Sequence, residues 1–421
     1  MKMNLKMPFL GMLIFLIFGM ASEVKAQTLS EYLRIAAENN PEVKAAYSDF
    51  EAAMQEVPQV KSLPDPNLTM TAFGSMVETR LGPQEARFSL MQMFPWFGTL
   101  SAKADVATLM AEAKFQEFLD ARNELFFQVS EQYYKLYELE QSLVFQRDNL
   151  EILQNYKDLA LSRVRAGSGA LSDVLQVDLM RNDAETNLEI LQLKKQPLLA
   201  KFNALLNREK LQPVIIPVEL DIAIDPQLIA EVAVENNPKL AQLEKMSESA
   251  QAQKEVAKKS GMPMVGLGLD YVIVGKRTDM VVEDNGRDAI MPMLSVSLPI
   301  FRKKYKAAQK QAEFMAESYS QRKVGVENRL KAEMEEALFQ VQQARAMLNL
   351  YEKQVESSNQ VLNLLLSSYK NAASDFEEVL RVRQELLKYQ LAVAGAEAEL
   401  LTAVAKINYL TGKSFEYENE N

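Results

Sequence analysis

The chain has 421 residues, 57 acidic and 47 basic side chains, and neither cysteine nor histidine. A net charge of −10 argues against a nucleic-acid partner, because neutralising phosphates takes clustered Lys and Arg. Without Cys there are no disulfides and no thiol chemistry. Without His the commonest general base and metal ligand are gone, so no enzyme, no cofactor and no dedicated metal site are expected.

Residues 1–26 read as a secretory signal peptide. Lys2 and Lys6 precede the apolar run MPFLGMLIFLIFGM (7–20), and Val24 and Ala26 stand at the small-residue positions of a cleavage site. Cleavage would leave Gln27 first, and with no Cys after it no lipid anchor is expected. After Phe18 no apolar run is long enough for a transmembrane helix, so membrane entry would require a β-barrel.

The rest, 27–421, reads as one domain built from a tandem repeat, about 27–210 and 222–412, with a short acidic tail at 413–421. Glu38-Asn39-Asn40-Pro41 matches Glu235-Asn236-Asn237-Pro238, and Pro66 matches Pro263 at the same offset. Later, Pro95 matches Pro299 and SDVLQVD (172–178) matches EEVLRVR (377–383), at a slightly larger offset.

In chain order, each copy opens with a helix, about 28–61 and 225–259. Two strand-like segments follow, about 66–76 and 84–94 in the first copy and 263–275 and 289–299 in the second. Val265, Leu267, Leu269, Tyr271 and Ile273 alternate with Met264, Gly266, Gly268 and Asp270, the period of a strand with one apolar face. The connections 77–83 and 275–288 are polar and turn-rich.

A long helix follows, about 100–166 and 302–371. No Pro or Gly interrupts the first from Thr99 to Ala166, and at 1.5 Å per residue it reaches roughly 100 Å. A break at 166–173 or 371–375 leads to a return helix, 171–207 or 375–411. Helices of this length must pack laterally as coiled coils. At the first break, Gly167 and Gly169 permit a tight turn and Ser172-Asp173 is the expected N-cap.

The strands have about ten residues, the length that crosses a bilayer when tilted. Phe94, Trp96, Phe97, Ile300, Phe301 and Tyr305 then fall at strand ends, where an aromatic belt meets a membrane interface. Pro95 and Pro299 end the strands at the turn into a helix. Four strands cannot close a barrel, and an open edge is prohibitive in lipid, so the chain must oligomerise. The pattern leaves dimer and trimer open. A different reading is a soluble periplasmic coiled-coil scaffold whose strands form a small protein-packed domain.

The tandem repeat, the Asn-Asn-Pro helices, LPDPNL (63–68), FPWFG (94–98), SLPIF (297–301) and the two helix breaks occur in an order that resembles the outer membrane efflux proteins of the TolC type, especially the branch with cation-efflux outer membrane factors. The resemblance implies a mainly α fold with a membrane β-barrel portion. Three chains would share a twelve-stranded barrel continued by a periplasmic helical tunnel. It further implies a passive exit duct for small molecules, metal ions or secreted protein, in the outer membrane of a Gram-negative bacterium. The partners it implies are two further copies, a periplasmic adaptor and an inner membrane RND or ABC pump.

Carried over residue by residue, Asp173 and Tyr369 match a tip pair that holds the entrance closed. Glu378 matches an acidic ring that favours cations. Ser374 and Arg381 depart from the family pattern, which puts the gate's form in question. Adaptor docking would fall on Arg165, Gly167, Gly169, Leu171, Ala372 and Ser374, exposed tips on a rigid scaffold. Met91, Met93, Met264 and Met293 alternate onto the face opposite the apolar one. Thioethers suit Cu(I), but simple space-filling is the favoured reading.

Overall fold

A computed structural model describes residues 28–217, 220, 233–370 and 375–413. The expected signal peptide, Ala372, Ser374 and most of the acidic tail lie outside the described residues.

The first copy opens with two helices, α1 (Leu29–Asn39) and α2 (Pro41–Lys61), rather than the single helix expected over 28–61. The division comes from the Asn-Pro step. Asn40 adopts extended backbone and its Oδ1 accepts from the Glu42 and Val43 amides, while Pro41 takes the first helical position, where no donor is needed. The second copy repeats the device. Asn237 caps α5 (Pro238–Ser260) by accepting from the Lys239 amide. Each Asn also ties its copy together, Asn40 donating to the Leu205 carbonyl at 3.0 Å and Asn237 to the Leu410 carbonyl at 3.1 Å.

Strands β1 (Asn67–Thr79) and β2 (Gly82–Phe94) form a tight hairpin, as do β3 (Met264–Val274) and β4 (Ala289–Ser297) with a longer loop. All four lie in one antiparallel sheet, in the order β1-β2-β3-β4. β2 pairs with β3, so the two copies join at the sheet's centre, and β1 and β4 are its edges. The 77–83 connection is shorter than expected, because β1 runs on to Thr79 past an irregularity between Ala72 and Val77.

The register sorts the side chains by face. Leu68 pairs with Leu90, Leu90 with Leu269, Phe88 with Tyr271, and Leu267 with Leu294. Of these, Leu68, Leu90, Leu267, Leu269, Tyr271 and Leu294 are exposed, leaving one broad apolar face uncovered. The opposite face carries Thr69, Ser89, Arg87 and Asp270 among methionines and glycines.

Each hairpin runs directly into a long helix. α3 (Thr99–Arg165) has 67 residues and returns through α4 (Leu171–Leu205), and α6 (Arg302–Lys370) has 69 and returns through α7 (Phe376–Thr411). α3 packs on α2, α4, α5 and α7, and α6 packs on α5 and α7. The buried side chains form three clusters strung along the helices rather than one globular core. Alanines let the helices approach closely, among them Ala107, Ala111, Ala396 and Ala403, all buried.

Candidate functional site

Two places concentrate the sequence-derived residues, the far helix tips and the strand–helix junctions. At the first tip, α3 ends in a glycine-dependent cap. Gly167 has φ of +71°, its amide bonds the Val164 carbonyl, and the Ser168 amide bonds the Arg163 carbonyl. These two bonds satisfy two of the last carbonyls of the helix. A Cβ on Gly169 would lie 2.9 Å from the Arg163 Cβ, so the returning chain passes Arg163 with no room for a side chain. α4 begins at Leu171 with Ala170 as its N-cap, which corrects the expected Ser172-Asp173 cap. The turn closes sooner than the polar residues suggest, and Asp173 sits in the first helical turn. A carboxylate there is favoured by the helix dipole.

Asp173 and Tyr369 meet. The Tyr369 hydroxyl donates to Asp173 Oδ2 at 3.4 Å, a long hydrogen bond. Tyr369 itself is buried, stacked on Phe376 with ring centroids 4.6 Å apart. Burial, with the Asp173 carboxylate beside it, pushes the Tyr369 phenol above its ordinary value.

Arg163 completes this group, and the sequence did not single it out. Its Nη1 donates to the Tyr369 carbonyl at 2.6 Å and its Nη2 to the Ser168 carbonyl at 2.9 Å. Its guanidinium also lies 4.2 Å from the Tyr369 ring centroid. One planar fork thus joins the end of α6 to the first tip. These residues line an open cleft of about 570 Å³ with Ser172, Gln176 and Glu377.

The other tip residues stand apart from this group. Glu378 is exposed, and its nearest cation is Arg381, at 4.0 Å. Arg381 also donates to Glu385 at 2.9 Å. Arg165, Gly167 and Leu171 are exposed and Gly169 is half-buried. Ala372 and Ser374 lie outside the described residues.

At the first junction, Gly98 takes φ of +75° as the N-cap of α3. Phe94 is half-buried, whereas Trp96, Phe97 and Phe301 are exposed, Phe97 at 88% and Phe301 at 76%. Large aromatics held this far out of the protein core are unusual for a chain surrounded by water.

Among solved structures, the chain resembles VceC, an outer membrane protein of Vibrio cholerae, with 19% identity over 92% of this chain and 97% of that one and a TM-score of 0.74. It also resembles the open-state MtrE outer membrane channel of Neisseria gonorrhoeae, with 16% identity over 91% and 88% and a TM-score of 0.71. The CmeC outer membrane channel of Campylobacter jejuni follows, with 15% identity over 97% and 94% and a TM-score of 0.69. At these identities the likeness shows the fold. No match was found among curated proteins. The family model for outer membrane efflux proteins matches twice, over residues 32–207 and 229–413, once in each copy of the repeat. The chain therefore belongs to the outer membrane efflux protein family, whose channels are passive transport ducts and not enzymes.

Proposed function

We propose that three copies of the chain form the outer membrane exit duct of a tripartite efflux system, carrying small molecules or metal ions outward from a periplasmic adaptor and an inner membrane RND or ABC pump. One observation carries the reading: a sheet with one exposed apolar face and, among the described residues, two unpaired edges runs directly into helices of 67 and 69 residues. Lipid is the solvent such a face suits, and edges in lipid must be paired by neighbouring copies. The helices make a matching demand. Leu175 and Leu179 are exposed at four-residue spacing on α4, a stripe for a neighbour's helix.

In this arrangement Phe94, Trp96, Phe97 and Phe301 form the belt at the inner membrane–water boundary of the barrel. The tips close the far end. Asp173, Tyr369 and Glu378 act as the gate, and Arg165, Gly167, Gly169, Leu171, Ala372 and Ser374 dock the adaptor. Glu378 from three chains would ring the opening with carboxylates, moderated by Arg381 beside each.

Detergent extraction, mass determination of the extracted particle and single-channel recording test the reading together. A conducting trimer in the membrane fraction is expected. A monomer that stays in solution without detergent and conducts nothing overturns it.

A further inference from the structure

The sheet face opposite the apolar one gathers sulfur around two glycines. In the pairing register, Gly268 of β3 has Met91 on one side and Met293 on the other, and Gly266 has Met93 and Ser295. With no side chain on β3 at these rows, the flanking methionines lean across it. A Cβ placed on Gly266 would meet Met93 Sδ at 2.6 Å and Met91 Sδ at 3.1 Å. One placed on Gly268 would meet Met91 Cε at 2.9 Å and Met91 Sδ at 3.2 Å. Two thioether sulfurs therefore converge over a single glycine, with a third methionine one strand away. Met91, Met93 and Met293 are half-buried, so their side chains are open to whatever occupies that side of the sheet.

The same face supplies negative charge. Asp270 lies two residues along β3 from Gly268 and is 3% exposed. Its Oδ2 is 3.5 Å from Arg87 Nε, and its Oδ1 has no hydrogen-bond partner among the described residues. A buried carboxylate oxygen left unpaired costs free energy unless something cationic or protic reaches it.

Space-filling explains why methionines tolerate this irregular surface. It does not explain why the sulfurs, rather than the methyl ends, are the nearest atoms of both side chains to Gly266. Thioether sulfur is neutral and polarisable, a poor ligand for hard hydrated ions and a good one for soft monovalent ions. We propose that Met91, Met93 and Met293 form a thioether site for a soft monovalent cation, Cu(I) or Ag(I), on the lumenal face of the sheet. The proposal rests on the duct reading for its location in the lumen and narrows that duct's cargo.

The test is an Ag(I) titration of the full chain purified in detergent, with bound metal counted after gel filtration. Wild type is compared with the double variant M91L/M93L, with M293L, and with M70L on the apolar face. Met to Leu conserves volume, so assembly is preserved. The expected result is tight Ag(I) retention by wild type and M70L, and affinity weaker by about tenfold or more in M91L/M93L. X-ray absorption of the Cu(I)-loaded wild type should show sulfur scatterers that M91L/M93L lacks. Conducting trimers in which M91L/M93L binds Ag(I) within about twofold of wild type overturn the site and leave the duct standing. Should M91L/M93L fail to assemble, M293L carries the same comparison. A non-conducting monomer instead overturns the duct itself and the lumenal placement with it.

Discussion

Arg163 donates to the carbonyl of Tyr369 at 2.6 Å while its guanidinium faces the ring of the same residue at 4.2 Å. The two residues lie 206 positions apart and belong to different copies of the repeat. The contact is the most direct tie between the first tip and the end of α6. Tyr369 is also the residue that reaches Asp173, so Arg163 holds the donor of that pair in place.

Replacing Arg163 by Ala should therefore open the tip as well as weaken it. Two charge-assisted hydrogen bonds are lost, each worth about 1.5–3 kcal/mol in favourable settings. We expect higher single-channel conductance and a lower Tm. Lys in place of Arg keeps the charge but not the planar fork, so R163K should fall between the two. Conductance and Tm both unchanged in R163A would remove Arg163 from the closure.

In the proposed gate, the Tyr369 phenol gives closure a pH dependence. Its value in this tip is raised above the ordinary 10.0, so the Tyr369–Asp173 arrangement favours the protonated hydroxyl that donates to Asp173. The Tyr369 contribution is then complete below the ordinary value and is lost as pH rises through the raised one. Conductance of the wild type should stay flat up to about pH 10 and increase only beyond it. Y369F should conduct more at neutral pH and show no alkaline rise. An alkaline rise that persists in Y369F would assign the transition to another group.

The leucine stripe on α4 makes a prediction about assembly. Leu175 and Leu179 are exposed in the single chain, and burying each against a neighbour is worth about 1.5–3 kcal/mol. Changing both to Ser should shift the detergent-extracted protein from trimer toward monomer, with the helical content of the chain retained. Sedimentation measures the first and circular dichroism the second.

Two glycines in the first hairpin should behave oppositely. Gly82 has φ of +136°, and a Cβ there would sit against the Gly275 carbonyl oxygen, where the second hairpin's loop folds over the first. Gly74 has nothing within 4 Å of the position a Cβ would take. G82A should therefore lose assembled protein in the membrane fraction, whereas G74A should accumulate like wild type.

Much of the architecture could be read from local rules. The strand alternation, the proline at each strand end and the stretch of 67 residues without Gly or Pro all act within a few positions of themselves, which is why the strand–helix junctions were legible. The break at Pro41 was missed although its signal was present. Asn40-Pro41 is a cap followed by a proline at the first helical position, and reading it as helix interior overlooked the cost of Pro there. The length of β1 was underestimated because the irregularity between Ala72 and Val77 interrupts its alternation.

The tip was legible in part. Asp173 and Tyr369 were named and are in contact, but the resemblance supplied the pair, and no spacing rule brings the two together. Arg163 was missed for a related reason. RVRAGS contains two arginines two positions apart, and nothing local tells which one turns toward Tyr369 and which stays in solvent. The sulfur cluster falls between these cases. Alternation placed Met91, Met93 and Met293 on one face, whereas the convergence of the Met91 and Met93 sulfurs over Gly266 depends on the cross-strand register.

The unpaired edges of β1 and β4 also govern how the protein can be made. A lone subunit carries two rows of open peptide groups, which water tolerates and hydrocarbon does not. For the proposed duct, subunits then cannot insert one by one, and meeting must precede or accompany entry. Biogenesis should then depend steeply on chain concentration, with a reaction order above one, and scarce expression should leave subunits stranded in the periplasm.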